Sequence, residues 1–445
     1  MTDDNTPDNP EAETTNDGMT RRGLLDVAGK LGVAGSLMVM MPKALRAQEG
    51  PIKIGVMGPF TGPSSRTGDA FKKGTRLALE HAREEGDIPI TINGKKRDVE
   101  LVWVDSQSSP EKAVKAVTDA VNRQGVDIMV SGWHSSVAMA VTDAEASLDV
   151  IHIGHNGESQ YICEKVNENP EKYSGWFKGW SSPPIFAGLY GEPLNYFIEQ
   201  GLWNPGNRKA AVLVEDTDYG RGWGEALQNS MKEAGFDPLP YDVVAKDETE
   251  FSALLTKYRA QNVSVVGMTV TGNVAASNFV KQFKQQQLKA LLIGHGLTWF
   301  SEWHELTGDA SDFVVTMDSP RVIAPYQQKW VEQYREMFDE DPSYAPSGHG
   351  YDYFRVAIKG LNQAGTLDYD TLVDTYRNIE HQGVWHHYDF ADSKDDPNAM
   401  CTNEVKVGGF EEGFFFPMVQ LKGGEATIIW PLKHAGKKFE QPPWI

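Results

Sequence analysis

Three short segments hold most of the residues able to do chemistry. They are Trp133-His134-Ser135-Ser136, Gly154-His155-Asn156-Gly157-Glu158-Ser159 and Gly294-His295-Gly296-Leu297-Thr298-Trp299. Three imidazoles, with His152 just upstream of one of them, are the ligand type of a zinc or similar divalent site. The spacing argues against a metal: no HxH or HxxxH pair sits on one helix, and His152-x-x-His155 straddles the end of an apolar strand. His134-Ser135 joins a general base to a nucleophile, and Glu158 would complete a hydrolase, but no GxSxG elbow exposes a serine. What remains is recognition, with neutral imidazoles, hydroxyls and a carboxyl group hydrogen-bonding a polar organic ligand. No cofactor is expected.

Other residues fit the same chemistry. Ser135-Ser136 opens a helix and either offers N–H groups and hydroxyls to an anion or carbonyl, or simply caps that helix. Trp133, Tyr219 and Trp299 either stack on an organic ligand or pack the loop roots. Thr271 lies in a further polar loop, Thr269-Val270-Thr271-Gly272-Asn273. His386-His387, in a strand-like tail, is given no chemical role. There is no Walker A motif, and the glycines of 55–62 form no dinucleotide fingerprint.

These loops must be held by something, and the rhythm of the chain supplies it. After Gln48, short apolar runs alternate with helical stretches. Strands at 52–57, 99–104, 127–130 and 150–153 interleave with helices at 69–84, 110–124 and from 136. A second cycle places strands at 210–214, 241–244, 263–268 and 290–293, with helices at 222–234, 251–260 and 275–287. Helices follow near 327–337 and 351–364, and strand-like segments at 385–390, 404–409, 414–422 and 426–430. The fold class is α/β, two Rossmann-like lobes with parallel sheets. Segments 176–182 and 313–324 read as crossovers. The expected division is 48–180 plus 318–382 for one lobe and 181–317 plus 383–445 for the other. Every loop named above follows a strand, where open α/β sheets bind ligands. Tyr219 belongs to such a loop too, Glu215-Asp216-Thr217-Asp218-Tyr219-Gly220.

Bulk properties limit the partners. The chain has 445 residues and a formal charge of −20, which disfavours nucleic acid and anionic membrane. Arg21-Arg22 precedes a short apolar run, 27–41, diluted by Gly29, Gly32 and Gly35. Residues 1–47 therefore read as a twin-arginine export signal, with periplasmic location. Cys163 and Cys401 are the only cysteines, a disulfide candidate in an oxidising compartment.

Ile52-Lys53-Ile54-Gly55-Val56-Met57-Gly58-Pro59-Phe60-Thr61-Gly62-Pro63, with Gly68 and Gly74, resembles the opening of the Leu/Ile/Val-type periplasmic binding proteins of ABC importers. Asp105-Ser106-Gln107, Glu215 to Gly220 with Gly224, Phe251-Ser252 and Tyr351-Asp352 extend the resemblance along nearly the whole chain after the leader. It implies two lobes joined by three crossovers and closing on a small polar organic ligand, which is an amino acid, an amide or urea-like molecule, or a small carboxylate. Ser135 matches the serine that holds a ligand carboxylate, Asn156 a backbone donor, and Glu158 stands where threonine is usual. Amino-acid binders present a carboxylate near Gly296 for the ligand ammonium, and loop 294–299 has none. Trp133-His134-Ser135 and Asn156-Gly157-Glu158 look more like the urea and short-chain-amide branch. The resemblance also implies an ABC permease as partner and a monomeric chain. A ligand-sensing receptor subunit is the alternative on the same fold, and a secreted amide or ester hydrolase the alternative of another class.

Overall fold

Strand β1, Ile52–Gly58, is buried at every position except Lys53, which is partly buried. Such a run belongs in the middle of a parallel sheet covered on both faces. The computed structural model describes residues 50–318, 320–391 and 396–445, so the leader expected over 1–47 lies outside the described residues. After β1 come α1 (Ser65–Glu84), β2 (Val99–Asp105), α2 (Pro110–Asp119, continuing as a π-turn over 120–124), β3 (Ile128–Val130) and α3 (Ser135–Ser147). Then follow β4 (Ile151–His155), α4 (Gln160–Glu168) and β5 (Trp176–Lys178). β1 pairs in parallel with β2 and β3, β3 with β4, and β4 with β5.

The chain then crosses to a second sheet. Helix α5 (Gly191–Glu199) leads to β6 (Lys209–Glu215), α6 (Asp218–Glu233), β7 (Asp242–Val244), α7 (Ser252–Gln261), β8 (Val265–Thr269), α8 (Asn273–Gln285), β9 (Leu291–His295) and β10 (Val315–Met317). These strands run in parallel in the order β7-β6-β8-β9-β10. The chain returns through α9 (Pro325–Phe338) and α10 (Tyr344–Ala364), which pack on α1, and α11 (Tyr369–Arg377).

The tail divides between the sheets. β11 (Glu380–Gln382), β12 (His387–Ala391) and β13 (Glu404–Val405) extend the first sheet through β5, whereas β14 (Met418–Lys422) and β15 (Glu425–Trp430) extend the second beyond β10. Residues 383–445 were expected wholly in the second lobe, and the pairing of β12 and β13 corrects this. The physical reason is local: Glu404 of β13 forms an ion pair with Lys178 of β5 at 2.9 Å, both fully buried. Cys401 is disulfide-bonded to Cys163 of α4, with 4.9 Å between Cα atoms. The sheets are also mixed, since β12, β14 and β15 pair antiparallel to their neighbours. Among the described residues three connections join the lobes: 179–208, 318 with 320–324, and 406–417. Among the described residues no helix is long and apolar enough to cross a membrane.

Candidate functional site

The carboxyl ends of β3 and β4 face those of β6 and β8 around a cavity of about 330 Å³. Its wall carries Trp133, His134, Ser135, Asn156 and Glu158 from the first lobe, and Tyr219, Thr271 and Trp299 from the second. Eight of the ten residues expected at the site therefore meet at one place. Ser136, Arg221, Lys246 and the 215–218 loop complete the wall.

The first lobe builds its side from two loops locked together. β3 ends in Ser131 (φ 67°) and Gly132 (φ 145°), which turn the chain into α3. A Cβ on Gly132 would sit 2.1 Å from the His155 ring, so only glycine lets the loops approach this closely. Asn156 N–H donates to Gly132 O (3.1 Å), and Ser159 N–H donates to Ser135 Oγ (3.1 Å). The N-cap of α3 is His134, and no side chain caps that helix. The positive end of α3, with Ser135 and Ser136, is thus presented to the cavity rather than closed by its own serines. His134 Nε2 pairs with Ser64 Oγ at 3.0 Å, and burial, with Lys246 nearby, holds its pKa down at about 3.

The second lobe is tied by Glu215. Its carboxylate accepts from Thr271 N–H and Oγ1 (2.7 Å each) and from Thr217 Oγ1 (2.9 Å). Thr217 in turn caps α6 by accepting from Gly220 N–H. Tyr219 OH pairs with Thr269 Oγ1 at 2.6 Å, and Trp299 Nε1–H donates to Asp318 O at 2.5 Å.

Beneath the wall lies a group of buried, unpaired polar atoms. His295 Nε2 is 3.5 Å from Glu158 Oε2 and 3.4 Å from Asp318 Oδ2, and none of these atoms has a hydrogen-bond partner. Burial pushes both carboxyl groups well above their usual range, with the neighbouring carboxylate Glu215 adding to the shift at Glu158. Burial also lowers His295 to about 4, against the pull of Asp318. Burial thus favours the uncharged form of each of the three groups. Phe186 stacks on that ring at 4.7 Å.

The lobes are closed on each other. Trp133 meets Trp299 edge-on at 5.4 Å, and Arg66 bridges to Glu302 at 2.6 Å.

Two expected residues lie elsewhere. His295 sits behind the wall, in the trio. His155 is fully buried under the 131–133 loop, where its Nδ1 accepts Gly157 N–H at 2.9 Å. Among the described residues, the group of metal-type ligand atoms within 4.8 Å of one another is Cys163, Cys401 and Glu404, and the disulfide takes both sulfurs. His134 and Ser135 share no hydrogen bond among those found for the described residues, and Ser135 Oγ is engaged by Ser159. Asp318 was missed. The carboxylate that the resemblance places near Gly296 is absent from loop 294–299, yet Asp318 reaches the same neighbourhood from the end of β10. The signal for it was present, since it follows a strand as the other loops do.

Comparison with known proteins agrees with this architecture. A "Leu/Ile/Val-binding protein homolog 3" of Brucella melitensis is 24% identical over 321 residues, covering 71% of this chain and 80% of the relative. A leucine-, isoleucine-, valine-, threonine- and alanine-binding protein of Pseudomonas aeruginosa is 24% identical, covering 73% of this chain and 82% of that one. A putative branched-chain amino acid ABC transporter from Silicibacter pomeroyi superposes with a TM-score of 0.77 at 20% identity, over 89% of this chain and all of the other. A solute-binding protein of an ABC transporter from Rhodopseudomonas palustris, in complex with 3,4-dihydroxybenzoic acid, gives 0.68 at 18%, over 85% of this chain and 95% of that one. The family model for periplasmic binding proteins matches residues 51–409, and the chain belongs to that family.

Proposed function

We propose that this chain is the solute-binding component of an ABC importer, exported through its twin-arginine leader and acting in the periplasm as a monomer that delivers ligand to a permease. It binds and closes, and makes or breaks no bond. The observation that carries the ligand reading is the buried Glu158 carboxyl, whose Oε2 has no hydrogen-bond partner, in a wall that also holds the open N-terminus of α3. Buried polar groups require partners. A ligand with N–H donors at one end and a carbonyl or carboxylate at the other satisfies both: the donors meet Glu158, and the acceptor meets Ser135, Ser136 and the Lys246 ammonium. Trp133, His134, Asn156, Tyr219, Thr271 and Trp299 form the enclosing wall. Amides, urea and small amino acids share this pattern, and the curated relatives named above carry branched-chain amino acids in their names.

The test is thermal unfolding of the protein against branched-chain amino acids, urea and short amides, small aromatic acids and divalent metals. A ligand at 100 times its dissociation constant adds about 2.7 kcal/mol. A shift with an amide, urea or an amino acid supports the reading, and its loss in Glu158→Leu assigns the donor end. A shift with aromatic acids or metals alone overturns it.

A further inference from the structure

Asn156 lines the cavity, yet its carboxamide points into the interior. The amide nitrogen lies 3.0 Å from His349 Nδ1, and the amide oxygen meets Tyr353 OH. His349 Nε2 is 3.2 Å from His386 Nε2. Phe415 N–H donates to His386 Nδ1 at 3.2 Å, and Tyr353 OH donates to Gly179 O at 3.0 Å. His349, Tyr353 and His386 are all 0% exposed, so bulk water cannot settle any mismatch among them.

The protons along this chain must therefore balance. Phe415 N–H can only donate, so His386 Nδ1 accepts and the neutral ring carries its proton on Nε2. That proton faces His349 Nε2, which accepts, leaving the proton of His349 on Nδ1. The group opposite His349 Nδ1 must then be the Asn156 carbonyl oxygen, and the Asn156 nitrogen faces Tyr353 OH. Tyr353 has one proton, and Gly179 O takes it. With the carboxamide turned the other way, His349 Nδ1 would accept from Asn156 and its proton would sit on Nε2. His386 would then have to accept at both nitrogens, and Tyr353 would have to give one proton to two acceptors. Only the first arrangement sets each donor against one acceptor. An added charge on either ring would put two donors face to face, and burial disfavours it as well. Burial holds His386 down at about 3 and His349 well below its ordinary value.

We propose that His386, His349 and Tyr353 are positioning residues, which form an uncharged, one-way hydrogen-bond relay tying the Asn156 ligand loop to two of the three crossovers between the lobes. Phe415 belongs to the connection 406–417, and Gly179 opens the connection 179–208. Packing reinforces the bonds. A Cβ on Gly154 or Gly179 would fall 2.1 or 2.6 Å from the Tyr353 ring, so loop, crossover and ring are in direct contact. Trp180 meets His349 edge-on at 4.6 Å, and Phe414 stacks on His386 at 3.6 Å. Hinge bending that displaces Phe415 or Gly179 must pull on Asn156. A ligand that steadies loop 154–159 steadies the hinge by the same bonds. The coupling rests on the reading of the cleft as the ligand site, but the relay itself can be tested without any ligand.

Nitrogen-15 NMR of the histidine rings is the first experiment. The expected result is His386 as the Nε2–H tautomer and His349 as the rarer Nδ1–H tautomer, both neutral at about pH 7. His349 found as Nε2–H, or either ring found charged, overturns the relay and leaves the proposed function standing. The second is hydrogen exchange by mass spectrometry on His386→Phe, and on His386→Gln, which keeps an N–H donor. His386→Phe is expected to speed exchange roughly tenfold in 154–159, 179–182 and 406–417 together, and His386→Gln to restore part of the protection at 154–159. Faster exchange confined to 383–388 and 413–417 would mean that the ring only fills space, and would overturn the coupling.

Discussion

Glu158 Oε2 and His295 Nε2 face each other at 3.5 Å, one from each lobe, both buried and neither with a hydrogen-bond partner. Burial raises the Glu158 carboxyl well above its ordinary range, favouring the protonated form where the unfolded chain has already lost its proton. A group with a raised folded pKa contributes stability below its unfolded value, about 4.3, and loses it as pH rises through the folded value. Glu158→Gln cannot ionise. It is expected to match the parent near about pH 4 and to exceed it near about pH 8, gaining up to roughly 1.4 kcal/mol for each pH unit in the window. Thermal unfolding of both proteins across that range checks this, and a difference that stays flat with pH would mean a charged Glu158. The comparison must be parent against variant because buried histidines act with the opposite sign. His134, His295 and His386 are lowered to about 3, 4 and 3. Their contribution is present above about pH 6.5 and is lost as pH falls.

Trp299 joins both lobes and two crossovers. It meets Trp133 at 5.4 Å, Trp180 at 5.3 Å and His295 at 5.4 Å, and donates from Nε1 to Asp318 O. Trp299→Phe keeps a ring but strands the buried carbonyl, at an expected cost of about 1–3 kcal/mol. Trp299→Ala also opens a cavity, at about 3–5 kcal/mol. Unfolding in guanidinium chloride, which is outside the ligand panel, ranks the two. A smaller loss for alanine than for phenylalanine would show that the ring contacts across the cleft contribute nothing.

The residues that were legible in the sequence share one property, which is that they follow an apolar run read as a strand. Trp133, Glu158 and Tyr219 come after runs whose apolar content marks them as buried parallel strands. Asp318 follows β10, which is as long as β3 but lies inside a segment read as a crossover, so the same rule passed over it. His349 was hidden because Gly348 and Gly350 lower helix propensity, and the helix was read from Tyr351 rather than from Tyr344. His386 was legible as a residue but not as a neighbour. Its partners come from helix α10 and the 406–417 crossover, contacts that local pattern does not encode. His155 shows a further limit. In a strand buried on both faces, alternation does not say which side a chain faces.

Lys178 and Glu404 are both 0% exposed, with Nζ 2.9 Å from Oε1. Lys178 also donates to Trp180 O (2.5 Å) and Ser182 Oγ (3.1 Å), and Ser182 Oγ donates to Glu404 at 2.6 Å. Removing one partner leaves the other charge buried, so Lys178→Met alone is expected to cost about 3–5 kcal/mol. The double variant Lys178→Met/Glu404→Leu should recover most of that loss. Denaturation of the two singles and the double in guanidinium chloride gives the coupling directly. Additive losses would show that the two groups act independently, against the geometry.

The disulfide has a related but separable task. Cys163 and Cys401 are 238 residues apart, and their bond fixes the 396–405 segment beside β5, next to Glu404. A cross-link over so long a stretch restricts the unfolded chain, and its removal is expected to cost about 2–5 kcal/mol. The cleft lies on other elements, so Cys163→Ala/Cys401→Ala should lower the melting temperature without abolishing the thermal shift produced by whichever panel ligand stabilises the parent. Melting under reducing and oxidising conditions checks the first half, since only the parent should respond to reductant. The second half fails if the variant loses the ligand shift while still unfolding cooperatively. The segment that pins β13 to the first lobe would then also be shaping the cavity, through β5 and the Gly179 crossover that follows it.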